Sequence, residues 1–339
     1  MSHELDFTTG RAAIAYQGDV PWHGFGTKLP ADATPDEWRV AAGLDYDVVS
    51  RPIFYGVQTD EGKKAQVISD RVALLRDDTQ DFLSIVSNRY VVAQPSKIFG
   101  FFTDLLKQSG LRMETAGALD QGRKIWALAH LDDDFSVFGQ DQIKPYVLVA
   151  TSYDGSLSTT AMFTTIRVVC NNTLRFSGAY GADENSNDVY KVRHDTEFNI
   201  GEAHGKLGLD PAAWKQYQTN MDNLARMQVS PEDLLEYFYT VAGQDKDIVR
   251  NDENGEIISF PEPGRVVKQF INAMKNGPGA DLPSANGTMF GAVQAVTFYQ
   301  DHLAPSGNRG KRFESATFGS GNLRKQHAMD LALTKLEAA

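Results

Sequence analysis

The period of the apolar residues is mostly two in the first half of this chain and helical after about 195, and that shift constrains its fold more than any other feature. Between 46 and 92, YDVVSRPIFYGV, AQVISDRVALLRDD and FLSIVSNRYVV alternate with period two and are split by the turn signals TDEGKK and DDTQ, the pattern of an antiparallel meander. A helix follows over 95–110, with Ile98, Phe101, Phe102, Leu105 and Leu106 on one face and Gly110 at its end. LRMETAGAL, RKIWALAHL, KPYVLVATSY and LSTTAMFTTIRVV return to strands, joined by turns at Asp120-Gln121-Gly122 and Asp154-Gly155. From 195 to 337 the period is helical. One long helix over 195–228 is broken near Gly208–Pro211. Further helices cover 230–243 (Ser230 as N-cap, Pro231 next), 263–276, 287–303 and 320–337.

Strands first and helices after imply α+β: an antiparallel strand-rich core over about 46–170, with helices packed on it and a helical C-terminal half. The strand core extends to 180 with its flanking turn. One compact unit over 1–339 is expected, with flexible loops at 181–190, 244–262 and 304–319. Residues 1–30 read as irregular, and Thr34, Pro35 and Glu37 mark a capped short helix.

Charge and cysteine narrow the function. The net charge of -11 argues against a generally basic nucleic-acid binder, yet residues 305–327 carry +4, leaving -15 on the rest. The single cysteine, Cys170, excludes an internal disulfide and a cysteine zinc site, so a reducing cytoplasmic home is expected. No apolar stretch approaches membrane-spanning length, and MSHELDFTTG does not resemble a secretory leader. Walker, dinucleotide, zincin and nucleophile-elbow motifs are missing, and no two of the seven His are spaced i, i+4. No cofactor, metal or catalytic residue is therefore assigned. Asp132–Asp134 read as an acidic turn, and Cys170 as a buried residue rather than a nucleophile partnered by His194.

Two segments stand out. In Pro21-Trp22-His23-Gly24-Phe25-Gly26, Trp22 could stack on a base or simply pin the N-terminal arm. On the strand after Asp154-Gly155, alternation places Thr165, Arg167 and Val169 on one face and Ile166, Val168 and Cys170 on the other. An arginine within an apolar strand serves either an anion or a structural ion pair.

PWHGFG, Asn88-Arg89-Tyr90, Glu114–Gly117, Ser152–Ser156, RVVCNNTL, Arg193-His194, Asp301-His302 and FGSG at 318–321 together resemble the phage/plasmid-like protein family of unknown function, which includes YfjQ/YubP-like proteins. The family's usual Ser-His-Asp-Gly reads Ser-Tyr-Asp-Gly here. That resemblance implies a mobile-element protein in the company of proteins that handle single-stranded DNA. It also suggests a similarity to phage single-strand annealing proteins of the RecT/Erf kind.

The expected function is then binding or annealing of single-stranded DNA by a homo-oligomer, a ring or filament, in recombination or DNA establishment. Arg167, Arg193, Arg309, Lys311, Arg312, Arg324 and Lys325 would meet phosphates; Trp22, Tyr90 and Tyr153 would stack on bases. The alternatives are a protein-interaction module that inhibits a host defence and contacts a host or phage protein, and an enzyme acting on nucleic acid through Asp154, His194 and Asp132–Asp134.

Overall fold

A computed structural model describes residues 5–18, 24–60, 62–109, 111–170, 172–175, 189–207, 211–250, 256–306 and 309–338. The chain is α+β, with antiparallel-rich sheets and helices concentrated towards its C-terminal end. Its residues group into two compact units. The first comprises 1–132, 146–163 and 187–208; the second comprises 133–145, 164–186 and 209–339.

The first unit starts with β1 (Ile14–Tyr16), which pairs parallel with β2 (Thr27–Lys28). These short strands lie within the segment expected to be irregular. They form because Ile14, Ala15 and Tyr16 are apolar and buried against β6 (Leu111–Leu119), with Ile14 opposite Gly117. Helix α1 (Pro35–Ala41) starts as the sequence dictates: the Thr34 hydroxyl accepts from the Glu37 amide, and Glu37 accepts from the Thr34 amide. The meander is β3 (Val48–Thr59), β4 (Gly62–Arg76) and β5 (Phe82–Ser87), a separate three-stranded sheet in that order. Helix α2 (Pro95–Ser109) buries Ile98, Phe99, Phe101 and Phe102 and packs on β6 and β7 (Lys124–Leu131). The β6–β7 turn has Asp120, Gln121 and Gly122 all at positive φ. Strand β7 pairs with the Tyr146–Ser152 part of β9 (Asp141–Ser152), and β12 (Val189–Val192) pairs with the Thr159–Met162 part of β10 (Thr159–Arg167). Helix α3 (Ile200–Lys206) completes this unit.

A buried arginine anchors the first unit. Arg76 donates through Nη1 to Asp6 at 2.6 Å and through Nη2 to Asp78 at 2.8 Å, and its guanidinium lies 3.9 Å over the Tyr46 ring. Burial alone would disfavour this charge; the carboxylates of Asp6 and Asp78 hold it ionised.

The second unit contains the remainder of β9 and β10, together with β8 (Phe135–Val137), β11 (Asn172–Arg175) and the hairpin of β13 (Val249–Arg250) and β14 (Ile257–Ser259). Its helices are α4 (Pro211–Arg226), α5 (Pro231–Ala242), α6 (Arg265–Asn276), α7 (Met289–Phe298), α8 (Arg309–Phe318) and α9 (Ser320–Glu337). Helix α7 is the hub: Met289 through Thr297 are all buried, and it meets α4, α6, α9 and β11. Such all-round burial explains its near-continuous apolar run. It continues into a π-helical turn, Tyr299–Leu303.

Two expectations need correction. The stretch 304–319 is not wholly a loop: Arg309–Phe318 is helical, because α9 packs against it and the Arg312 guanidinium donates to the Ala304 and His302 carbonyls ahead of it. The stretch 244–262 contains a 3₁₀ turn (Asp245–Asp247) and the β13–β14 hairpin. The helical run expected over 195–228 comes as α3, ending at Lys206, and α4, beginning at Pro211, on either side of the break expected near Gly208–Pro211. Of the expected loop at 181–190, residues 181–188 lie outside the described residues, and Val189 and Tyr190 belong to β12 instead.

Candidate functional site

Three segments distant in sequence converge in the first unit. Tyr90, just past β5, stacks on His194, just past β12, with ring centroids 4.4 Å apart and planes inclined by 18°. Backbone bonding fixes this geometry, since the Val91 amide donates to the His194 carbonyl at 2.6 Å. The Tyr90 hydroxyl donates to the Ser152 carbonyl at 2.7 Å, and His194 Nε2 lies 2.8 Å from the Leu157 carbonyl. Asn88-Arg89-Tyr90, Ser152–Ser156 and Arg193-His194 thus meet at one place.

The β9–β10 turn shapes its floor. Gly155 adopts φ 75, which Asp154-Gly155 supplies without strain, and the Ser156 amide donates to Asp154 Oδ1 at 2.9 Å. Burial opposes ionisation of Asp154, but Ser156, Ser152 and Lys124 outweigh it and hold its carboxyl below the usual range. Burial, then the Asp154 charge, pushes the Tyr90 phenol well above its usual value, so Tyr90 stays a neutral donor. Both rings are half-buried. Arg89 is exposed beside them, and the Arg193 side chain is 84% exposed, 3.7 Å from Asp195. The arrangement offers a ring pair and two solvent-facing guanidinium groups, and no activated nucleophile.

The other sequence-selected residues fall elsewhere. Tyr153 is fully buried; its hydroxyl donates to the Ala93 carbonyl at 3.2 Å and its carbonyl accepts from the Ser84 hydroxyl. It is a core residue, not a surface ring. Trp22 lies outside the described residues, as does His23.

Arg167 belongs to the second unit and is buried. Its Nε donates to both Asp141 oxygens at 2.8 and 3.0 Å; Nη2 reaches Asp141 Oδ2 at 2.6 Å and the Gly279 carbonyl at 2.9 Å. Ser284 donates to the same carboxylate at 2.6 Å. A phosphate could reach this guanidinium only by displacing Asp141. The strand ends at Arg167, so the alternation expected through Cys170 stops there. Cys170 sits on the following turn, buried, with Sγ 3.8 Å from Arg167 Nη1.

Lys325 is likewise buried. It donates to Asp301 Oδ1 at 2.7 Å and to the Thr173 carbonyl at 2.6 Å, while Asp301 Oδ2 accepts from the Thr173 amide. The π-helical turn carries Asp301 into that position. Arg312 is half-buried and committed to carbonyls, Arg324 is half-buried, and Lys311 is exposed on α8. Arg309 lies in α8. The expected basic set is therefore not one track.

His194 is met by Tyr90, not Cys170. Asp132 pairs with Arg112 at 2.5 Å, and Asp134 accepts from Gln142. Among the described residues, no group of three His, Cys, Asp or Glu is placed to hold a metal. Sequence reasoning did not single out Arg89, although its place between Asn88 and Tyr90 was a signal. It also left Arg167 without a named partner, because Asp141 is one of 44 acids and 26 residues away.

Residues 82–336 match a domain of unknown function, DUF932. The chain belongs to the DUF932 family. All three converging segments lie within the DUF932 match, which begins at β5 and leaves β3 and β4 outside it. No curated protein and no solved structure matches the chain. Among the described residues, no helix is long and apolar enough to cross a membrane.

Proposed function

We propose that the chain binds single-stranded DNA without a cofactor, and that Arg89, Tyr90, Arg193 and His194 form the contact. The observation that carries this reading is the Tyr90–His194 stack flanked in sequence by two exposed arginines. A non-specific single-strand binder needs cations for phosphates and π-faces for bases. It needs no metal or nucleophile. The acid surplus sets the regime: Asp154 and Asp195 temper the local field, so binding is modest and best seen at low salt. The reading extends to a role in annealing or recombination for a phage, prophage or plasmid, in the reducing cytoplasm where Cys170 remains a thiol.

The test is anisotropy of a fluorescent single strand, titrated at several salt concentrations, with a complementary strand in a second arm. Arg89→Gln with Arg193→Gln should lower the log–log salt slope by about 1.4, since each single-strand phosphate contact contributes ~0.7. No binding at low salt overturns the function. Binding unchanged by both substitutions overturns the site.

A further inference from the structure

β3 is an edge strand. In the β3–β4–β5 sheet no strand among the described residues pairs with its far side, where Gln94 bonds only the first residue, Val48, and β5 pairs only with Arg71–Leu75 of β4. Beyond that point Ile53–Thr59 and Gly62–Ile68 run on as a two-stranded ribbon, with Phe54 opposite Val67 and Tyr55 opposite Gln66. Phe54 is 59% exposed, Tyr55 47% and Val67 54%. A bare two-stranded ribbon is marginal in water, and a long apolar edge is a template for a further strand.

The strand's own sequence selects what that strand is. Val48–Thr59 contains one charge, Arg51; the next residue after the strand is the exposed Asp60. Opposite charges at opposite ends make β3 complementary to itself when antiparallel and repulsive when parallel. Pro52 has no amide to donate, so a new ladder is bounded by Pro52 at one end and Asp60 at the other. The centre of that stretch is Gly56. A Cβ placed on Gly56 meets nothing within 4 Å.

We propose that β3 pairs antiparallel with β3 of a second copy of this chain, about a twofold axis at Gly56. Tyr55 then lies opposite Val57 of the second copy, Phe54 opposite Gln58 and Ile53 opposite Thr59. Arg51 meets the turn carrying Asp60. Residues directly opposite share a face, as a twofold axis normal to the sheet requires. The two three-stranded sheets become one six-stranded sheet without a β3 edge. This inference stands apart from the DNA reading, because it uses residues outside the DUF932 match.

Light scattering and disulfide trapping on the full chain test it. The wild type should elute as a dimer, twice 37.4 kDa. Gly56→Cys should form an intermolecular disulfide under mild oxidation, because facing Cα atoms in such a ladder are about 4.5–5.5 Å apart. Gln58→Cys should cross-link far less, and the wild type not at all, its Cys170 being buried. Tyr55→Glu with Val57→Glu should give a monomer with an unchanged circular dichroism spectrum; Tyr55→Glu with Val57→Lys should restore the dimer. A wild type that stays monomeric at all accessible concentrations overturns the proposal. So does a Gly56→Cys protein that traps no better than Gln58→Cys, or a dimer indifferent to the like-charge pair.

Discussion

Replacing Arg167 by Leu strands a carboxylate. Asp141 is fully buried, and Arg167 gives it three of its hydrogen bonds; only the Ser284 hydroxyl among the described partners remains. Breaking a buried pair from one side costs about 3–5 kcal/mol, because the charge left behind has neither water nor a counter-ion. The Gly279 carbonyl loses its donor too, about 1 kcal/mol more. Arg167→Lys keeps the charge but cannot serve Asp141 and Gly279 with one planar fork, and should cost about 1–3 kcal/mol. Removing both charges, Arg167→Leu with Asp141→Leu, should be milder than Arg167→Leu alone by about 2 kcal/mol or more. Urea unfolding followed by far-UV circular dichroism, whose helical signal comes mostly from the second unit, reads the change; at a slope near 2 kcal/mol/M, the single change should move the midpoint by about 2–3 M. An Arg167→Leu midpoint within 0.5 M of wild type (about 1 kcal/mol) would refute the reasoning. So would a double variant less stable than the single one.

Tyr90→Phe keeps the ring and loses the bond to Ser152, so it should weaken stability by about 1 kcal/mol and leave single-strand affinity nearly unchanged; Tyr90→Leu should weaken binding by about 1–3 kcal/mol per stacked base, read by anisotropy. Gly291→Ala should destabilise by about 3 kcal/mol in the same urea assay, because its Cβ would lie 1.9 Å from the Ala285 carbonyl oxygen on the buried hub helix. Acid should weaken the fold in two windows. His302 is lowered from 6.5 mainly by burial, so the unfolded chain takes up its proton first and stability falls as pH drops below 6.5; His302→Gln should flatten that limb in pH-dependent melting curves. Asp78 is lowered from 3.8 chiefly by Arg76, so its contribution is full above that value and lost as pH falls through its lower folded pKa.

The elements with strong local signals were legible in advance. Thr34-Pro35-Asp36-Glu37 fixed the start of α1, and Ser230-Pro231 that of α5, because caps depend on residues only three apart. The β3–β5 meander and the Asp154-Gly155 turn were likewise read from period and turn chemistry. β1, β2 and α8 were not, because tertiary partners make them: β6 pairs with β1, and Arg312 ties the start of α8 to the Ala304 and His302 carbonyls. The site was half legible. Tyr90, His194 and Arg193 were visible as motif residues, but their convergence depends on the segments that follow β5, β9 and β12 coming together, which no local pattern records. Arg167 and Lys325 looked like cations for phosphate. Their buried partners, Asp141 and Asp301, are set by the fold and not by sequence neighbourhood.

The claim that Tyr90 and His194 meet the bases is tested most directly by photocross-linking. A single strand carrying 5-iodo-deoxyuridine is irradiated with the wild-type protein, and the linked peptides are mapped by mass spectrometry. The account predicts adducts on Tyr90 or His194, lost at high salt and reduced in the Arg89→Gln, Arg193→Gln protein. Adducts confined to α8, α9 or other segments, or no adduct under conditions where the strand is bound, would contradict it.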